Sequence, residues 1–108
     1  MTTPRSLIRP AGGNQLSVDA WRLTRRLAEA EDYLVYSSDG TKVGRLDHVL
    51  YERHHDHPDS IIIRRGFLGR RRFSVPFEAI QEVDERARVI ALSVPANGIT
   101  PIRRSQHP

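Results

Sequence analysis

Five arginines fall within nine residues, Arg64, Arg65, Arg70, Arg71 and Arg72, and they are the densest chemistry in the 108-residue chain. A guanidinium presents a planar fork of donors that matches carboxylate and phosphate oxygens. Such a run reads either as an anion-facing patch, for RNA, an acidic protein or membrane phosphates, or as a solvated charged hairpin. Phe67 and Leu68 lie between the arginine pairs, inside Gly66-Phe67-Leu68-Gly69. Two glycines around two apolar residues predict a loop tip whose side chains are buried against the barrel or a partner. Arg64, Arg65, Phe67, Leu68, Arg70, Arg71 and Arg72 together form the candidate partner or anion surface. Sequence-specific reading of nucleic acid wants interleaved aromatics, and only Phe67 and Phe73 are near. RNA binding here would be phosphate-driven and would fall steeply with salt.

The second polar cluster is His54, His55 and His57 with Asp56 and Asp59. His55 and His57 alternate on one side of an extended segment and could offer imidazoles to a transition metal. The spacing matches no four-ligand zinc pattern, and a polar hairpin loop closed by Pro58 accounts for the same residues. His48, beside Asp47 and Glu52, offers an acid-base pair without a nucleophile or an oxyanion site near it, so it reads as a strand histidine. No metal, cofactor, small-molecule substrate or catalytic residue is expected.

The elements that must carry these groups start from Asp39-Gly40, the strongest turn signal in the chain. Gly40 takes positive φ freely and Asp39 can accept from the backbone ahead of it. Tyr33 to Tyr36 before the turn and Val43 to Arg53 after it predict a hairpin. Within the second strand Val43, Val49 and Tyr51 are in step while Leu46 and Leu50 are not, a phase change that predicts a bulge or close backbone approach after Gly44. Ser60 to Arg64 is a β-branched strand with Ile61 and Ile63 on one face and Ile62 on the other. Arg72 to Pro76 is a fourth strand, Phe77 to Ile80 one helical turn, Gln81 to Asp84 a fifth strand, Glu85 to Arg88 a charged turn, and Val89 to Val94 the last strand.

Upstream, Ala20, Leu23, Leu27 and Ala30 recur at helical spacing, which predicts a short amphipathic helix over 18–32. Arg25 and Glu29 are an i, i+4 pair, and Trp21, the sole tryptophan, is expected to cover a sheet edge or barrel mouth. Residues 1–17 and 95–108 carry compositions that predict a flexible arm and a flexible tail. The fold class is therefore all-β, a small six-stranded, partly open barrel over 33–94 with one short N-terminal helix and disordered arms.

Charge and composition narrow the function classes. The formal net charge is +4, yet residues 33–94 hold ten basic against nine acidic residues, so the barrel is nearly neutral outside its arginine cluster. Sixteen of the seventeen basic residues are arginine, an excess that need not reflect phosphate binding. With no cysteine, disulfides and thiolate metal sites are excluded. No apolar run is long enough to cross a bilayer, so the expected location is the cytoplasm.

Gly40-Thr41-Lys42-Val43-Gly44-Arg45-Leu46-Asp47-His48-Val49, the triple isoleucine, Gly66-Phe67-Leu68-Gly69, Val75-Pro76-Phe77-Glu78-Ala79-Ile80 and the final Val-Ile-Ala-Leu strand follow one another in an order that resembles a PRC-barrel domain. The resemblance covers residues 33–94. Its most specific pieces are the Gly-x-x-Val-Gly turn and the Val-Pro-aromatic-Glu-x-Ile motif. It implies a docking barrel like those of the reaction centre H subunit and the ribosome maturation factor, without catalysis or cofactor. The membrane helix of the first and the N-terminal barrel of the second are not present here, so neither role carries over whole. The expected function is a non-enzymatic adaptor that binds a partner protein or itself, the alternative an RNA- or ribosome-associated factor using the arginine cluster.

Overall fold

The computed structural model describes residues 18–102; the expected arm at 1–17 and the last six residues of the expected tail lie outside them. Helix α1 spans Val18–Leu27. Leu27 and the following Ala30 are buried, with Ala20 and Leu23 packed against the same core, so the apolar stripe read from the sequence faces the sheet. The helix is shorter than expected. Its last turn tightens, Ala30 N–H donating to the Leu27 carbonyl at 3.1 Å, and Asp32, at φ +74°, turns away to give its N–H to the Leu46 carbonyl at 2.9 Å.

Seven strands follow: β1 Leu34–Tyr36, β2 Lys42–Leu50, β3 Ser60–Arg65, β4 Arg71–Pro76, β5 Ile80–Asp84, β6 Val89–Leu92 and β7 Thr100–Ile102. They form one sheet in the order β5-β6-β1-β2-β3-β4-β7. The sheet is a partly open, PRC-barrel-like array, with seven strands where the sequence predicts six. The additional strand arises where order was expected to end, because β4 leaves an edge that Thr100–Ile102 covers. Neighbours are antiparallel except β1 and β6, which pair in parallel with Leu34 opposite Val89. The expected turn after β4 is present at Phe77–Ala79, with Phe77 and Ala79 buried.

The core is shared by both halves of this order. Val35, Val43, Leu46, Ile61, Ile63, Val75, Val83, Ile90 and Leu92 are buried in one cluster, and Ile62 is buried outside it, as the alternation in β3 requires. The out-of-step residues of β2 are explained by two irregularities. Val35 pairs Gly44 while Tyr36 pairs Lys42, and Leu46 pairs Ile63 while His48 pairs Ile62, so one extra residue is inserted near Val43 and another at Asp47. Each insertion turns the strand over once, which lets Val43, Leu46 and Val49 all reach the core. At Gly44 the backbones of β2 and β3 come so close that a Cβ would stand 2.4 Å from the Arg64 carbonyl oxygen and 2.9 Å from Ile63 Cγ2.

The two outer strands are protected differently. Arg26 of α1 donates to the Val83 carbonyl of β5 at 3.1 Å and approaches Glu85 at 4.0 Å. Arg26 thus covers that edge; Trp21, expected there, is 51% exposed and carries the Arg25 guanidinium 5.7 Å above its ring, so Arg25 turns to Trp21 and forms no ion pair with Glu29. On β7, Pro101 stands opposite Phe73. Lacking an N–H, it cannot serve the ladder, so Thr100 and Ile102 carry the pairing and Pro101 turns a donorless edge outward.

Asp59 organises the β2–β3 connection. Its carboxylate accepts from the Glu52 and Arg53 amides, the latter at 2.7 Å, and lies 2.6 Å from His54 Nδ1. The Glu52 amide, against the upward push of partial burial and with the Arg53 amide and His54, holds Asp59 far below the usual carboxylate range. A folded-state value below the unfolded one contributes stability above pH ~4 that is lost as pH falls toward the folded value. Melting temperature followed from neutral pH to about pH 2 should fall on the acid side in the wild type and fall less in Asp59→Asn. Gly44→Ala should cost about 3 kcal/mol through overpacking. Gly40→Ala, at φ +84° with open space around it, should cost only about 1 kcal/mol. Urea denaturation of both variants measures how much the collision at Gly44 adds to the positive-φ strain that both positions carry.

Candidate docking site

The β3–β4 hairpin is closed by opposed Arg65 and Arg71, and its tip is the turn Phe67–Gly69, with Gly69 N–H bonded to the Gly66 carbonyl at 2.9 Å. Leu68 sits at φ +63°, a left-handed conformation that costs a side chain with a Cβ about 1 kcal/mol. The turn turns both apolar residues away from the protein: Phe67 is 81% and Leu68 78% exposed. Of the two burials expected for the tip, against the barrel or against a partner, the barrel is excluded.

The five arginines are not equivalent. Arg64 Nη1 donates to the Leu46 carbonyl at 3.1 Å and lies 3.4 Å from Asp47 Oδ1, while its Nη2 pairs with Asp32. Arg72 Nη1 donates to Asp47 Oδ2 at 2.8 Å. Asp47 therefore ties both strands of the hairpin to β2, and the extra residue in β2 at this position is what aims its carboxylate there. Partial burial works to raise the Asp47 carboxyl; the hydrogen bond with His48, at 2.7 Å, and the charge of Arg72 outweigh it and hold the group below its ordinary range. Exposed ion pairs contribute about 0–1 kcal/mol each, so this clamp fixes the direction of the hairpin more than it stabilises the fold. Arg65, Arg70 and Arg71 have no ion pair among the described residues.

Two features of this region were missed by sequence reasoning. β7 places Ile102, 42% exposed, opposite Arg72, and a hollow of about 420 Å³ lies between it and the tip, lined by Leu68, Gly69, Arg70, Arg72 and Ile102. The signal for β7 was available: Thr-Pro-Ile alternates β-branched residues around a proline, the pattern of an edge strand. Asp47 as the anchor of the cluster carried no signal, because its partners lie on other strands.

The histidines lie in the expected polar loop between β2 and β3. His54 and His57, rather than His55 and His57, face each other, their rings stacked at 4.1 Å, and His57 lies 5.4 Å from the Phe77 ring. His57 Nδ1 is 2.9 Å from Asp56 and His54 Nδ1 is held by Asp59, so the ring nitrogens nearest the backbone are engaged by carboxylates. Among the described residues no group of three or more His, Cys, Asp or Glu is arranged to hold a metal ion. No described helix is long and apolar enough to cross a membrane.

Comparison with curated proteins finds no match. The model of the PRC-barrel domain matches residues 24–97, from the middle of α1 to just short of β7. With that match over most of its length and a seven-stranded, incompletely closed sheet, the chain belongs to the PRC-barrel domain family.

Proposed function

We propose that this chain is a non-enzymatic adaptor that docks another protein, or a second copy of itself, through the β3–β4 hairpin. The observation that carries the reading is the tip: a leucine kept in a left-handed backbone with its side chain in water, next to an equally exposed phenylalanine. Strained backbone and solvent-facing apolar groups both cost stability, and such costs cluster at surfaces that meet a partner. Family membership supports it, since PRC-barrels are general protein-interaction modules and a non-catalytic fold. The edges support it as well, because β5 is covered by Arg26 and β7 ends its ladder with Pro101, leaving the tip as the unprotected feature.

The RNA-associated alternative has less behind it. Arg64 and Arg72 are engaged by Asp32 and Asp47, so three of the five guanidiniums remain free, and one exposed aromatic makes no stacking platform.

The immobilised chain, presented to an extract of its host at low and high salt, should retain a partner that Phe67→Ser with Leu68→Ser loses, and light scattering behind size exclusion should show the same loss for any self-association. An unchanged partner set and oligomeric state in the double variant would overturn the proposal. Leu68→Gly separates strain from contact. It should raise stability by up to about 1 kcal/mol by relieving the left-handed backbone, while weakening partner retention.

A further inference from the structure

The docking reading leaves the chemistry of the partner open, and the surface beside the tip narrows it. The hollow between the tip and β7 runs into a second of about 250 Å³ that shares Arg70, Arg72 and Ile102 and adds Arg71, Phe73 and Pro101. Together they make a trough along the outer side of β4 and β7. Leu68 and Ile102 give it apolar surface beside the tip, while Phe73, which packs against the main core on the other face of β4, meets it only at the edge. Every charged side chain along it is an arginine, and no carboxylate lines either part. Arg70 and Arg71 have no ion pair among the described residues, and Arg72 gives one nitrogen to Asp47.

The hollow beside α1 provides the contrast. There Arg22, Arg25 and Arg26 line about 400 Å³ together with Glu29 and Glu85, so positive charge is answered within the site. Along β4 and β7 it is not. β7 also runs toward the hairpin tip, Thr100 lying opposite Ser74 and Ile102 opposite Arg72, and the next two residues in the sequence are Arg103 and Arg104. The described chain thus ends at the trough.

We propose that this trough binds an acidic segment of another protein that carries aliphatic or aromatic side chains among its carboxylates. The inference rests on the docking role of the hairpin. Carboxylates meet Arg70 and Arg71 as paired acceptors, the geometry a guanidinium fork favours, while Arg72, held through one nitrogen by Asp47, adds positive charge beside them. The apolar side chains cover Leu68 and Ile102, which a phosphate backbone would leave wet. The segment is read through side chains and does not add an eighth strand, because Pro101 offers no N–H at the centre of the outer edge.

The test uses a labelled synthetic peptide in which aspartate and glutamate alternate with leucine and phenylalanine, titrated by fluorescence anisotropy at low and high salt. An all-glutamate peptide of equal charge, a labelled single-stranded RNA and phosphatidylglycerol vesicles run beside it. The mixed peptide should bind roughly tenfold or more tightly than the all-glutamate one, the worth of one buried apolar side chain. Leu68→Ser or Ile102→Ser should remove that advantage, and Arg70→Ser with Arg71→Ser should flatten the salt dependence. These positions are exposed, and circular dichroism melts check that the variants stay folded. Equal binding of the two peptides, tighter binding of RNA, recruitment to vesicles without peptide binding, or no binding would each overturn the proposal. If the peptide fails while Phe67→Ser with Leu68→Ser still loses its native partner, the acidic-segment chemistry falls and the docking role stands.

Discussion

The constraint on which the rest of the molecule depends is the close passage of β2 past β3 at Gly44. β2 is paired on both sides, with β1 and with β3, and supplies Val43, Leu46 and Val49 to the core. A regular strand of period two cannot do that. Two extra residues make it possible, and the sheet bends where they are inserted. The bend brings the β2 backbone against the Arg64 carbonyl, where a glycine alone fits. It also sets Asp47 facing sideways toward Arg64 and Arg72, so the element that curls the sheet is the element that aims the hairpin.

What sets the surface of this sheet apart is what it leaves unprotected. An open sheet offers two rows of unpaired backbone groups, and here one is met by the guanidinium of Arg26 and the other is ended by a proline. Such devices stop a sheet from recruiting further strands. Against that background the bare apolar tip is an exception within its own molecule. Its charge is selective in the same way: the arginines nearest the sheet are spent on holding the hairpin, and those farther out face solvent.

Much of the fold was legible in residues whose meaning is local. Asp39-Gly40 marked a turn, and Gly40 adopts φ +84° there. The stripe from Ala20 to Ala30 marked a helix and its buried face, and the triple isoleucine marked a strand with two of its three residues in the main core. The broken alternation in β2 foretold an irregularity, although a single phase change stood for what are two insertions. What stayed illegible was long-range. No local pattern says that β1 lies parallel to β6, that Asp47 will meet Arg72 two strands away, or that two of five arginines will be engaged inside the structure. Trp21 misled because a large aromatic suggests cover, whereas the carbonyl of Val83 needed a donor with the reach of arginine. The seventh strand was overlooked because proline and glycine in its neighbourhood weigh toward loop when composition is read over a window.

The parallel pairing of β1 with β6 has a bearing on how the molecule comes into being. β1 is the first of the described strands to be synthesised, and one of its two neighbours is the sixth of the seven, Val35 lying opposite Ile90. While the chain is emerging, β1 and β2 can meet as a local hairpin, but the central row of the sheet keeps an open flank until β6 has left the ribosome. Contacts of such high sequence separation slow folding and lengthen the time during which unpaired strands are exposed. A sheet built this way is vulnerable to premature association chiefly in the moments before β6 is made.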